Sequence, residues 1–182
     1  MVSKGRIGCI PLTEDQPISD FDLDVSVQAE QSKILSSFYG VPIEDIDRVS
    51  LTGRVTGSTE QFEITDLEMR TSDANGLKTL LSGGIDFSTN DAGNVLGDVN
   101  LKLRITAPNL GAAEPLMGAR WLANLGPVSA ETLVKGTTEI LSLEKMVATA
   151  GKPGRLHSAW RGRIGKLPLT GDQSISDLNI VS

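Results

Sequence analysis

Apolar and polar residues alternate with period two along most of the chain, which is the mark of strands with one apolar and one polar face. Over 20–27 (D-F-D-L-D-V-S-V), Phe21, Leu23, Val25 and Val27 fall on one side and Asp20, Asp22, Asp24 and Ser26 on the other. The same division returns at 98–105, with Val99, Leu101, Leu103 and Ile105 against Asp98, Asn100, Lys102 and Arg104. Further strands follow from Val49, Leu51, Gly53 and Val55, from Leu77, Thr79, Leu81, Gly83, Ile85 and Phe87, and from Leu156, Ser158, Trp160, Gly162 and Ile164. The turns NDAGN at 90–94 and GKPG at 151–154 separate strands as antiparallel hairpins require. Over 60–70 the phase slips, because Phe62 and Ile64 share one parity and Leu67 and Met69 the other. Leu141, Leu143 and Met146 slip at the corresponding place later in the chain. A shared slip predicts a β-bulge near Thr65 and Asp66.

That correspondence is part of a repeat. Residues 4–25 return at 161–182 with 12 of 22 positions identical, a step of 157 residues. A fainter copy lies halfway: Gly5, Gly83 and Gly162 correspond, as do Ile7, Ile85 and Ile164, then Asp20, Asp98 and Asp177, then Leu23, Leu101 and Ile180, at steps of 78 and 79 residues. Gly40 matches Gly118 at 78, whereas Val49 matches Val128 and Gly57 matches Gly136 at 79, which puts one inserted residue within 119–127. The units run approximately 5–82 and 83–161, with the start of a third at 162–182, in a single elongated array. A repeating unit of this kind buries its apolar face by stacking on its neighbours.

Helix signals are brief. Residues 30–39 (EQSKILSSFY) and 109–123 (NLGAAEPLMGARWLA) hold equivalent places in the two units and predict one short helix in each. The fold class is therefore mainly β: an antiparallel, twisted open sheet with one short helix per repeat, each unit running strand, helix, then three or four strands. A closed sandwich or barrel has a fixed strand number, whereas an open gutter extends by whole units. The inward positions are Leu, Ile and Val with Gly and Thr interspersed, and aromatic residues make up only 4% of the chain. Such a smooth aliphatic lining suits a hydrocarbon tail, where each buried methylene contributes roughly 0.8 kcal/mol. Alternation alone does not separate a ligand-lined face from an ordinary protein core, so both readings stand at this point.

Composition excludes several classes. A formal charge of -6 with scattered Lys and Arg argues against nucleic acid as a partner. No apolar run approaches the roughly 20 residues of a membrane-spanning helix, and MVSKGRIGCIPLTED lacks the apolar core of a signal peptide. The single Cys9 cannot form an internal disulfide.

Candidate chemistry is sparse. His157 is the only histidine, no G-x-S-x-G elbow accompanies it, and its parity opposite to Trp160 places it towards solvent. Cys9 has no neighbouring base. Asp20, Asp22 and Asp24 could suggest a hard cation, yet they lie along a strand on a solvated face, and the next unit has Asn100 and Lys102 in place of Asp22 and Asp24. Gly83 and Gly84 fall inside a strand rather than before a helix, so they form no phosphate loop. No catalytic residue, metal site or cofactor is expected, and the chain reads as non-enzymatic.

The segments 49–87, VLGDVNLKLRITAPNLGAAEPLMG and NLGPVSAETLVKGTTEILSLEKM together resemble the periplasmic repeat region of the AsmA family, including its TamB-like members. The elements that carry the resemblance are a G-x-V-x-G strand (Gly53, Val55, Gly57), an I-x-D-L strand (Ile64, Asp66, Leu67), a G-x-I strand (Gly83, Ile85), an L-x-L strand (Leu101, Leu103) and an L-G-P-V-S turn (Leu125 to Ser129). The resemblance implies a half-pipe or β-taco groove, periplasmic, from a parent anchored in the inner membrane, that supports phospholipid transfer to the outer membrane. The sequence shows neither the N-terminal membrane helix nor the outer-membrane end of such a protein, so it reads as an internal section of the repeat region. Its expected partners are phospholipid acyl chains and the remaining repeats of a longer chain, with the terminal strand edges open to self-association. The lining of the groove would be Phe21, Leu23, Val25, Val27, Leu51, Val55, Phe62, Ile64, Leu77, Leu81, Ile85, Val99, Leu101, Leu103, Ile105, Leu141, Leu143, Trp160 and Ile164. A ligand-free structural spacer, a sandwich or solenoid module of a surface protein, is the competing reading.

Overall fold

A computed structural model describes residues 2–9, 18–30, 46–73, 76–89, 95–109, 126–137, 139–152, 157–168 and 176–182. Its strands are β1 (Val2–Cys9), β2 (Ser19–Glu30), β3 (Ile46–Gly57), β4 (Gln61–Asp73), β5 (Lys78–Thr89), β6 (Val95–Ala107), β7 (Val128–Thr137), β8 (Ile140–Gly151), β9 (His157–Pro168) and β10 (Ser176–Val181). They form one 10-stranded sheet whose spatial order is the sequence order. Every neighbouring pair is antiparallel. β1 and β10 do not pair with each other, so the sheet is open.

No helix occurs among the described residues. Of the two expected helices, Glu30 closes β2 and Asn109 follows β6, while 31–39 and 110–123 lie outside the described residues. The turn at 90–94 and the second half of the turn at 151–154 also lie outside them.

The sequence repeat is a repeat of backbone conformation. β2, β6 and β10 correspond, as do β1, β5 and β9, β3 and β7, and β4 and β8, which gives four strands to a unit. Asp66 and Lys145, 79 residues apart, both have φ 50°, and Gly57 and Gly136 both have φ 129°. Asp20 and Asp177 have φ 56° and 57°. The expected bulge is present: the register of β4 on β5 shifts between Ile64 and Leu67. That of β8 on β9 shifts between Leu143 and Met146. An extra residue in left-handed conformation lets the residues beyond it return to the face they would otherwise leave.

The β3–β4 and β7–β8 turns also share their chemistry. The Ser58 hydroxyl accepts hydrogen bonds from the Glu60 and Gln61 amides (3.3 and 3.2 Å). In the second unit the Thr137 hydroxyl accepts from Glu139 and Ile140 (3.3 and 3.2 Å). A hydroxyl at this place satisfies amides that the ladder leaves open.

Substantial packing is confined to strands adjacent in sequence, and no second sheet lies over the first among the described residues. The most buried apolar cluster is Leu67, Val99, Leu101 and Val134, at 7–8% exposure, surrounded by half-buried Leu51, Ile64, Leu81, Ile85, Leu103, Leu141 and Leu143. No large side chain of the described residues is completely enclosed.

Candidate functional site

In antiparallel pairs, residues directly opposite share a face. The register therefore defines the apolar surface row by row. One row crosses nine strands as Gly5, Leu23, Val55, Ile64, Ile85, Val99, Gly136, Leu141 and Leu167. The next runs Leu67, Gly83, Leu101, Val134, Leu143, Ile164 and Leu178. A third runs Val27, Leu51, Met69, Leu81, Leu103 and Thr132, and a fourth Ala29, Val49, Thr71, Thr79, Ile105, Ala130, Ala148 and Trp160. No charged residue interrupts any of them.

At one margin Phe21, Phe62 and Phe87 gather, with ring centroids 6.4 Å apart for the first pair and 4.7 Å for the stacked second pair. Gly57 lies between Phe21 and Phe62 in the ladder. A Cβ there would come 2.3 Å from the Gln61 carbonyl oxygen, so this position requires glycine on both spacing and backbone angle.

The register brings nearly all the sequence-predicted lining residues onto this one face: Phe21, Leu23, Val25, Val27, Leu51, Val55, Phe62, Ile64, Leu81, Ile85, Val99, Leu101, Leu103, Ile105, Leu141, Leu143, Trp160 and Ile164. Leu77 precedes β5 in the β4–β5 turn, where its amide donates to Asp73 Oδ1 at 2.7 Å. Strict alternation missed Leu67, Met69 and Met146, which the bulges restore to the face, and Val134, among the most buried residues. The paired phase slip was the signal that could have found the first three.

Thr132 shows how the second bulge is held. Its side chain is 8% exposed, and its hydroxyl donates to the Glu144 carbonyl at 3.0 Å, next to the bulged Lys145. The corresponding residue 79 positions earlier is Gly53.

The opposite face is mostly polar, with Leu80, Leu133 and Val147 set among its charged residues. Arg54 donates from Nε and Nη2 to the two Asp22 carboxylate oxygens at 2.7 and 2.6 Å. Those hydrogen bonds hold the Asp22 carboxyl below its usual range, with Arg6 adding a smaller attraction. Glu131 is held low by Lys102 and then Arg104, at 2.8 and 2.6 Å. Arg70 lowers Glu68 in the same way. His157 is exposed, as its parity suggested. The described residues contain no group of three or more His, Cys, Asp or Glu side chains arranged to hold a metal ion. Among them no helix is long and apolar enough to cross a membrane.

No protein-family model, curated protein or solved structure matches this chain.

Proposed function

We propose that this chain is a section of a hydrophobic groove that binds lipid acyl chains and performs no chemistry of its own. The observation that carries the reading is an apolar surface without a charged residue along its rows, on a sheet that no second layer covers among the described residues. An acyl chain of about 15–20 Å, half a bilayer core, would cross three or four strands spaced roughly 4.8 Å apart. It would bury methylenes at roughly 0.8 kcal/mol each, so one tail could contribute on the order of 10 kcal/mol. Half-buried Leu81, Ile85 and Leu103 have surface left to give to such a ligand. With the resemblance to the AsmA family, the reading becomes a periplasmic section of an inner-membrane-anchored parent, acting with further repeats in phospholipid transfer and outer-membrane biogenesis. A sheet of many twisted strands coils, which favours a half-pipe over a flat plate.

A structural spacer is the second reading. It draws on Leu101 and Val134, which are only 7% exposed without any ligand. The two readings part on lipid retention. Expressed in a bacterial periplasm behind an added signal peptide and purified gently, the groove section should carry extractable phospholipid. Leu103→Asp should empty it and Lys102→Asp, on the opposite face, should not. A lipid-free wild-type chain that binds no hydrophobic dye would favour the spacer.

A further inference from the structure

On the polar face, an open depression of about 590 Å³ is lined by Thr65, Asp66, Leu67, Glu68, Ser82, Gly83, Gly84 and Asn100. Its lining holds two carboxylates and no cationic side chain, while Arg54 shares a neighbouring depression with Asp66 and Lys102 lies opposite Ser82 on the ladder. Gly84 leaves its floor without a side chain, pairing with Asn100 across the ladder. Glu68 is shared with Arg70 at 2.8 Å, and Asp66 stands on the left-handed bulge, exposed.

One repeat step further along the chain, the same place is rebuilt with the opposite sign. Seventy-nine residues on, Asp66 becomes Lys145 with the same φ of 50°, Ser82 becomes Arg161 and Gly84 becomes Arg163. Glu68 becomes Val147, and Asn100 is kept as Asn179. Where the first copy of this place has a hollow, the later one has side chains, and a lining with two carboxylates gives way to one with three cations. Lys145, Arg161 and Arg163 are exposed. The ion pairs formed among the described residues do not include them. Of the nearby carboxylates, Glu144 is engaged with Lys135 at 3.3 Å, and Asp177 stands against Gly165, two residues along the strand from Arg163.

The N-terminal copy of the hairpin makes the contrast sharper. There Lys4 and Arg6 face Asp24 and Asp22 across the β1–β2 ladder. In the C-terminal copy Arg161 and Arg163 face Val181 and Asn179 instead. The cations persist while the carboxylates opposite them are gone.

We infer that this face docks a second copy of the chain, with Lys145, Arg161 and Arg163 of each copy seated in the Asp66–Glu68–Gly84 hollow of the other. Because each copy carries one hollow and one cationic cluster on the same backbone frame, a two-fold axis between them satisfies both contacts at once and closes the assembly. Area does not forbid it. Eight strands at about 4.8 Å spacing and about 40 Å length present on the order of 1,500 Å² per copy, and a standard interface needs about 800 Å² from each partner. The inference concerns the face opposite the proposed lipid surface and does not depend on that surface being occupied.

Complementary charge reversal tests it. By sedimentation equilibrium the chain should dimerise at low ionic strength and weaken at least ten-fold in about 0.5 M NaCl, where screening is strong. The variant Arg161→Glu/Arg163→Glu should be monomeric, and so should Asp66→Lys/Glu68→Lys. An equimolar mixture of the two should form a heterodimer, since both contacts are then again of opposite sign. Recovery in the mixture also shows that each variant is folded. A mixture that stays monomeric would overturn the inference, as would a wild-type assembly indifferent to these reversals, the behaviour expected of association through strand edges. So would a monomer that sediments with anionic phospholipid vesicles through Arg161 and Arg163.

Discussion

The first and second repeats share a backbone and an apolar face, and diverge on the face that meets water. Leu23 and Leu101, Val49 and Val128, Gly57 and Gly136, and Ile85 and Ile164 keep their character from one unit to the next. Over the same steps Asp24 becomes Lys102, Asp66 becomes Lys145 and Glu68 becomes Val147. The constraint on this chain is therefore a continuous apolar surface carried on a bulged antiparallel frame. Charge on the other side is free to take a separate pattern.

The largest expected effect breaks the equivalence by position in the array. Leu101 and Ile180 are the same repeat position, yet Leu101 is 7% exposed and Ile180 53%. Leu101→Asp should destabilise by about 4 kcal/mol, through lost burial and a desolvated charge. Ile180→Asp should stay within about 0.5 kcal/mol. Urea denaturation of both variants checks this, and equal losses would mean that the centre of the sheet is no better buried than its margin.

Next come the paired glycines. Gly57→Ala and Gly136→Ala should each cost about 2–3 kcal/mol, since each would place a Cβ against a backbone carbonyl at a φ of 129° that side chains rarely adopt. Similar losses in thermal unfolding would support identical frames. A large cost at one site alone would show that the repeats differ in backbone.

A smaller change moves one repeat towards the other. Gly53→Thr copies Thr132, and a Cβ at Gly53 would have its nearest neighbours at 3.5 Å, including the Thr65 carbonyl that corresponds to the acceptor of Thr132. A gain of about 1 kcal/mol is expected from strand propensity and the added hydrogen bond. A loss in melting temperature would contradict the shared bulge geometry.

The smallest effect is electrostatic. Asp22, Glu68 and Glu131 have lowered pKa values in the folded chain. A depressed carboxylate contributes stability above its unfolded pKa, and that contribution is lost as the pH falls through the folded value. Melting temperature should therefore decline as pH drops below about 4. Arg54→Ala should flatten the part of this decline due to Asp22. Because these pairs are exposed, the slope should also shrink with salt.

Much of this was readable from the residues. Period-two alternation placed Leu101 and Lys102 on opposite faces, and the slip at Ile64 and Leu67, repeated at Leu143 and Met146, marked both bulges. Alternation reports which side a residue faces and not how many layers cover that side, so it could not separate a sandwich from an open sheet. The Ser58 and Thr137 turns were missed because a lone hydroxyl residue carries no periodic signal. The cationic cluster at Lys145, Arg161 and Arg163 needs register as well as sequence, since β8 and β9 become neighbours only through the ladder.

The central claim is that the apolar face receives acyl chains. Its most direct test is to load the purified chain with a photoreactive fatty acid, irradiate it and map the adducts by mass spectrometry. Labelling concentrated on Leu81, Ile85, Leu103 and their row neighbours, with Arg54, Lys102 and Glu131 unmodified, is the predicted result. Adducts spread equally over both faces, or none at all, would contradict it.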